Sequence, residues 1–173
     1  MAKKGFTLIE LLIYISLAMI ILNVGIYFIW QMIESKVKVT AKHEVQRNVT
    51  FVLEKISYEA RLAKLIETPQ GQGQESQELV LLMSDNTRRR FFLDQGQLFL
   101  TRDAGSNITP IALTSQKVKV GSLVFKNLSG GGGQGTFQIN IKIKYYNPTG
   151  RQEYQAEIST QKTINLRDNL GET

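Results

Sequence analysis

One carboxylate stands apart in this sequence. Glu10 is the single formally charged residue in the run FTLIELLIYISLAMIILNVGIYFIWQMI, residues 6–33. Inside a bilayer such a charge costs roughly 2.5–3.5 kcal/mol on insertion scales, so it needs a cation at the same depth. No Lys or Arg within the run supplies one. Hydrolysis of the Gly5–Phe6 bond would do so. It creates an α-amine on Phe6, whose ordinary pKa of about 7.7–8.0 leaves it largely protonated at neutral pH. Four residues of one helix separate that amine from Glu10, so the more natural contact is between copies: the carboxylate of an incoming chain neutralises the amine of one already in place. The first-turn position also sets Glu10 near the positive end of its own helix dipole.

Other residues that could do chemistry have plainer readings. His43 is the only histidine; flanked by Lys42 and Glu44, it reads as a solvated helix residue. Asp85, Asn86, Asp94 and Asp103 could offer oxygen ligands to calcium. Their spacing fits no EF-hand, and turn formation explains them more simply. In the run Arg88-Arg89-Arg90, strand alternation puts Arg88 and Arg90 on one face, where they could touch DNA. A solvated strand edge that discourages edge-to-edge pairing is the simpler reading. The glycine cluster Gly130–Gly135 lacks the Lys-Ser/Thr ending of a phosphate-binding loop and reads as a linker. With no cysteine, disulfides and thiolate zinc sites are excluded. These absences argue against an enzyme and against a cofactor or bound metal.

The elements that position Glu10 come next. Residues 6–33 exceed the roughly 20 helical residues that cross a 30 Å hydrocarbon core. Lys3 and Lys4, two of the charges behind the net +6, would hold the N-terminus on the cytoplasmic side. The end of the run has no small-residue secretory cleavage pattern. Tyr27, Phe28 and Trp30 suit the far interface instead, so the segment is expected to be retained. Net charge is mild and spread along the chain, which argues against nucleic acid as a partner.

Beyond the run, Val37, Ala41, Val45, Val49, Val52, Leu53, Ile56, Ala60 and Ala63 recur at helical spacing and predict one buried stripe. The helix is expected to stop near Ile66, before Pro69 and the loop QGQGQ. If unbroken, residues 6–66 span roughly 90 Å; a break near Glu34 is the alternative. From Glu78 onward the pattern alternates. FQINIKIKYY and EYQAEISTQKTINL form the strongest hairpin, with NPTG between them. ELVLLMS, RRFFL and LFLTR form shorter ones, and KVKVGSLVFKNL shifts its alternation at Gly121 as a bulge would. One antiparallel sheet of about five to seven strands is expected, with a face laid on the amphipathic helix.

The opening KKGFTLIELL resembles the class III signal of type IV prepilins and type II secretion pseudopilins: a short basic leader, Gly5, Phe6, and Glu10 at the fifth mature position. The resemblance implies cleavage between Gly5 and Phe6 by a prepilin peptidase, N-methylation of Phe6, and an assembly role for Glu10. It also implies an α+β pilin fold, a long N-terminal α-helix packed on an antiparallel β-sheet. The expected divisions are a leader at 1–5, a transmembrane or filament-core half at 6–33, an amphipathic half at 34–66 and a head at 67–173. The order of elements is similar to the GspJ/PilW group of minor pseudopilins and minor pilins, which implies a place in the initiating or tip-proximal complex. Implied partners are other pilin subunits, the peptidase/methyltransferase and an inner-membrane assembly platform. The implied location is a single-pass cytoplasmic (inner) membrane protein with an extracytoplasmic head, then a periplasmic or extracellular filament. A DNA- or surface-binding module of a competence or adhesion filament is the other reading. Many major pilins carry a proline partway along the membrane helix; here Asn23 and Gly25 are the only weak points.

Overall fold

A computed structural model describes residues 7–103, 109–130 and 135–166, with Glu153 described for its backbone alone. Lys3, Lys4, Gly5 and Phe6 lie outside the described residues. So does most of the glycine cluster. The chain opens with one helix, α1 (Leu8–Leu62). It contains no proline, and neither Gly25 nor the stretch around Glu34 interrupts it. At 1.5 Å per residue it is about 80 Å long.

The helix ends four residues earlier than its periodicity suggests. Ala63 turns extended (φ −79°, ψ 145°), and β1 (Ala63–Thr68) begins there. The cause is tertiary. β1 pairs antiparallel with β3 (Leu79–Met83), Ala63 opposite Met83 and Thr68 opposite Val80. The ladder satisfies backbone groups that a further helical turn would have satisfied internally.

Among the described residues, nine strands form two antiparallel sheets where one sheet of five to seven was expected. The first has the order β1-β3-β4-β5-β6, where β4 is Arg88–Asp94, β5 is Gln97–Asp103 and β6 is Ile111–Ala112. The second has the order β2-β7-β8-β9: Glu75–Ser76, Val118–Asn127, Thr136–Tyr145 and Glu157–Asn165. The two-residue strands β2 and β6 are too short for a pattern reading. Where the pattern was long, it holds. β8 and β9 pair over nine positions, from Thr136–Asn165 to Lys144–Glu157, although their connection is longer than a tight NPTG turn and includes a 3-10 turn at Gln152–Tyr154. The register of β7 on β8 shifts between Val120 and Ser122, at Gly121 as expected. Between β4 and β5, Gln95 (φ 47°) and Gly96 (φ 79°) make a two-residue turn of the mirror-image kind that suits strand twist. The Gly96 carbonyl accepts from Val120 N at 2.8 Å and so ties the first sheet to the second.

The C-terminal half of α1 lies on β7, β8 and β9. Val45, Val52, Ile56 and Ala60 are fully buried and join Phe91, Leu98 and Leu100 from the first sheet and Phe125, Phe137, Ile139 and Ile143 from the second in one core. Each of the larger side chains contributes roughly 1.5–3 kcal/mol through burial, and Ala60 less. Gly135 belongs to this packing and is no linker residue: a Cβ there would lie 2.8 Å from Leu166 Cδ2. A long N-terminal helix on antiparallel sheets is the α+β arrangement of the pilin fold.

Candidate functional site

The first half of α1 is where chemistry and exposure coincide. From Leu8 to Ile33 its large apolar side chains are all exposed, and the helix is long and apolar enough to cross a membrane. Among the described residues nothing covers this surface, whose extent far exceeds the few hundred Å² of apolar patch normal on a soluble monomer. Uncharged polar side chains within it bond to the helix itself: Ser16 Oγ donates to the Ile13 carbonyl at 2.9 Å and Asn23 Nδ2 to that of Met19 at 2.8 Å. Back-bonding of this kind is how a helix carries such groups where water is absent. Tyr27, Phe28 and Trp30 are each more than half exposed and, at 100° per residue, point in separate directions, forming a girdle. A Cβ on Gly25 would meet nothing within 4 Å, so any close packing there involves another molecule.

Thr7 caps this helix. Its Oγ1 accepts from Glu10 N at 3.4 Å, half of the reciprocal Thr-x-x-Glu capping box. The spacing was present in the sequence and its meaning missed. Glu10 is exposed, and its carboxylate forms no salt bridge among the described residues. One first-turn acid thus heads an uncovered apolar rod. Gly5 and Phe6, the expected cleavage and methylation positions, lie outside the described residues, so the structure does not place them beside Glu10.

The head contains what the sequence reading passed over. Glu59 is 3% exposed and sits among Lys55 (2.8 Å), Arg102 (3.2 Å) and Arg89 (3.6 Å). Burial pushes its carboxyl up, but the bonds and charges of Lys55 and Arg102 outweigh that and hold it below the ordinary Glu value. Arg89 Nε is buried without a hydrogen-bond acceptor among the described residues. Asn48, also buried, accepts from Ser115 N at 2.9 Å and donates to the Glu44 carbonyl at 2.8 Å. Ser115 Oγ donates to Glu44 Oε1 at 2.9 Å, which holds that carboxyl low. Both buried polar residues follow the apolar period: Asn48 stands three after Val45, Glu59 three after Ile56. Periodicity alone marked them as core positions.

The set-aside residues have structural jobs. Arg88 is held in a bidentate pair by Glu67, and Arg90 pairs with Glu78 and covers the Phe92 ring. Their strand is not an edge, since β4 lies between β3 and β5; the arginines are occupied cross-strand partners and do not guard a free edge. Asp85 accepts from the backbone and hydroxyl of Thr87, Asn86 takes the left-handed conformation (φ 60°), and in the β4–β5 hairpin Asp94 stands opposite Gln97 and Asp103 opposite Arg88. His43 is exposed. Among the described residues, no group of three His, Cys, Asp or Glu could hold a metal.

The family model for the prokaryotic N-terminal methylation motif matches residues 1–22. No curated protein and no solved structure matches the chain. The motif covers the basic leader, the Gly5–Phe6 bond, Glu10 and the start of the uncovered apolar helix, so the chain carries a class III signal of the type IV pilin-like kind.

Proposed function

We propose that this chain is a structural subunit, a minor pilin or pseudopilin, that is cut after Gly5, N-methylated on Phe6 and built into a type IV pilus or a type II secretion-like pseudopilus. The observation that carries this reading is the uncovered apolar half of α1 behind a methylation motif, with a single exposed carboxylate in its first turn. Such a surface is stable in two settings: in lipid before assembly, and among the helices of other subunits after it. Burial of the rod supplies affinity. The pairing of Glu10 with the Phe6 amine of a neighbour supplies register, because a buried charge left unmatched is far costlier than one matched. The chain is then a substrate of the peptidase/methyltransferase and a client of the inner-membrane assembly platform, and is itself no enzyme. A helix that runs unbroken into a small head of short hairpins is consistent with the GspJ/PilW group and its initiating or tip-proximal place.

The DNA-binding alternative loses its main support, since Arg88 and Arg90 are engaged by Glu67 and Glu78. The test is the intact mass of the chain recovered from its own cells. Loss of residues 1–5 and gain of one methyl group are expected; a protein that still begins at Met1 overturns the reading.

A further inference from the structure

The membrane-facing end of the head is fixed by its contacts with α1. Ser115 is bonded to Glu44 and Asn48, Lys117 lies within electrostatic reach of Glu44, and Tyr146 N donates to the Lys117 carbonyl at 2.8 Å. The other end of β8 starts beside Gly135, where Ile66 and Leu166 close in. β8 therefore runs back along α1, and residues 115–119 and 144–151 form the part of the head nearest the apolar segment. That end is cationic. Lys117, Lys119, Lys144 and Arg151 are exposed and form no salt bridge among the described residues. The neighbouring acids among the described side chains are Glu44, bonded to Ser115, and Glu157, paired with Lys142 at 2.7 Å and opposite Lys144 in the β8–β9 ladder, so cations outnumber them.

Lys119 and Lys144 stand directly opposite each other in the β7–β8 ladder, an arrangement of like charges that weakens a strand pair. They flank a cavity of about 480 Å³ whose wall also carries Tyr146, Asn147, Tyr154 and Glu157, the last opposite Lys144 in the β8–β9 ladder. Lys119 Nζ lies 4.5 Å from the Tyr146 ring centroid, and Tyr154 is stacked on Tyr145 at 5.8 Å. Two ammonium groups, phenols, an amide and one carboxylate, which Lys142 neutralises, thus surround one concave site. An anion between the lysines relieves their repulsion, and phosphate suits that set of donors. The helix below adds two cations, with the acid Glu34 one turn lower, seven residues before Ala41. Lys38 precedes Val45 by seven residues and Lys42 precedes Val49 by seven, so both exposed lysines project on the azimuth of the buried stripe, beneath the head.

We propose that this underside docks on an anionic membrane: the cavity between Lys119 and Lys144 takes the phosphate of a lipid headgroup, while Lys38 and Lys42 draw the helix into a tilt toward that side. The proposal rests on the reading of α1 as membrane-spanning. From Ile33 to Glu44 the helix rises about 16 Å. The headgroup layer covers about 5–7 Å of that. A tilt of about 20°, ordinary for spanning helices, lowers a head carried to one side by several ångströms more, and lysine side chains span the remainder. Charge complementarity and continuity with the exposed apolar rod name the lipid as occupant. Docking orients the free subunit and is given up when it leaves the bilayer for a filament.

The test uses the full-length protein in nanodiscs of phosphatidylcholine alone or mixed equally with phosphatidylglycerol. An amine-reactive label is applied and scored by peptide mass spectrometry, with exposed Lys64 at the far end of the head as reference. Lys119 and Lys144 should label several-fold more slowly, relative to Lys64, in the anionic discs. The Lys119→Gln, Lys144→Gln double variant should weaken the protection of Lys38 and Lys42 in the same discs. Equal labelling in both lipids overturns the proposal. So does equal protection when inorganic phosphate is added to phosphatidylcholine discs, which makes the cavity a site for free phosphate. Deuterium exchange across residues 8–33 reports insertion separately: exchange as fast as in solution removes the membrane reading itself, whereas a protected helix with lipid-independent lysines removes the docking alone.

Discussion

Glu59, in the last turn of α1, accepts from Arg102 of β5 at 3.2 Å across 43 residues of sequence. Lys55 closes on the same carboxylate from one turn below, and Arg89 approaches from β4. The acid sits at the negative end of the helix dipole, where it is disfavoured, and its cations hold it there. It ties the first sheet to a helix that otherwise lies on the second. Glu59→Gln leaves those cations facing a neutral amide. Removing one partner of a buried ion pair costs about 3–5 kcal/mol, and the amide should keep the loss near the lower figure. A urea midpoint for the full chain in detergent that shifts by less than a tenth of the wild-type value would contradict the clamp.

The same carboxylate gives the head an acid limb. Its pKa is lower in the folded protein than in the unfolded chain, so the folded state releases its proton more readily. The resulting stabilisation is complete above the ordinary Glu value of about 4.3 and drains away as pH falls through the lower, folded value. Stability of the wild type should decline more steeply than that of Glu59→Gln between about pH 5 and pH 3. Parallel declines in circular-dichroism melts would remove Glu59 as the source.

Asn48 is the second polar tie. It accepts from Ser115 N and donates to the Glu44 carbonyl, pinning the β6–β7 connection to the helix. Asn48→Ala strands the Ser115 amide in a half-buried position, at a cost of about 1 kcal/mol, the low end of the range for a fully buried orphan. The local readout is more telling than the global one. Exchange of the Ser115 amide should accelerate by an order of magnitude or more while that of Ile141, deep in β8, follows only the change in global stability. Unchanged Ser115 exchange would show that water replaces the side chain at no cost.

Long, regular patterns were legible. The β8 face of Phe137, Ile139, Ile141 and Ile143 is fully buried as its alternation requires, and Gly121 sits at the bulge it marked. What escaped depended on distant partners. Nothing in AKLIET forbids another helical turn; β3 converts it to strand, and β3 has no local signature at residue 63. Division into two sheets was hidden because pairing order is set between elements, not within them. The arginines were misread for a similar reason: Glu67 and Glu78 are far from them in sequence, and a strand inside a sheet alternates just as an edge strand does. Glu59 and Asn48 are different. Their spacing was visible, but a polar letter on an apolar stripe does not by itself distinguish a gap in the stripe from a buried group with partners. For the candidate site, KKGFTLIELL was enough to locate Glu10, and Thr7 was one position from being noticed.

The Gly5–Phe6 bond can be tested without reference to assembly. Gly5→Leu fills a position where the class III signal has glycine, so the leader should stay attached. An immunoblot should show only the slower-migrating precursor in the membrane fraction, and Phe6 should lack its methyl group by mass spectrometry. A normally sized product would mean that this bond is not the one that is cut.

Glu10 has two candidate duties, and they separate by mutation. As the fourth residue of Thr-x-x-Glu it helps cap α1; as a lone acid on an apolar rod it pairs with a neighbour's amine. Thr7→Ala removes the cap, worth about 1 kcal/mol, and spares the carboxylate. Glu10→Ala removes the carboxylate and leaves Thr7 Oγ1 in place to accept from the backbone of residue 10, as it does now. If pairing is the duty, Glu10→Ala should insert and be processed normally yet enter sheared filaments at least tenfold less, the factor that about 1.4 kcal/mol of lost contact produces, while Thr7→Ala assembles nearly as well as wild type. If capping is all it does, the two variants should fall together and by little. Quantifying membrane-bound and filament-bound protein for both decides between them, and normal incorporation of Glu10→Ala ends the register argument.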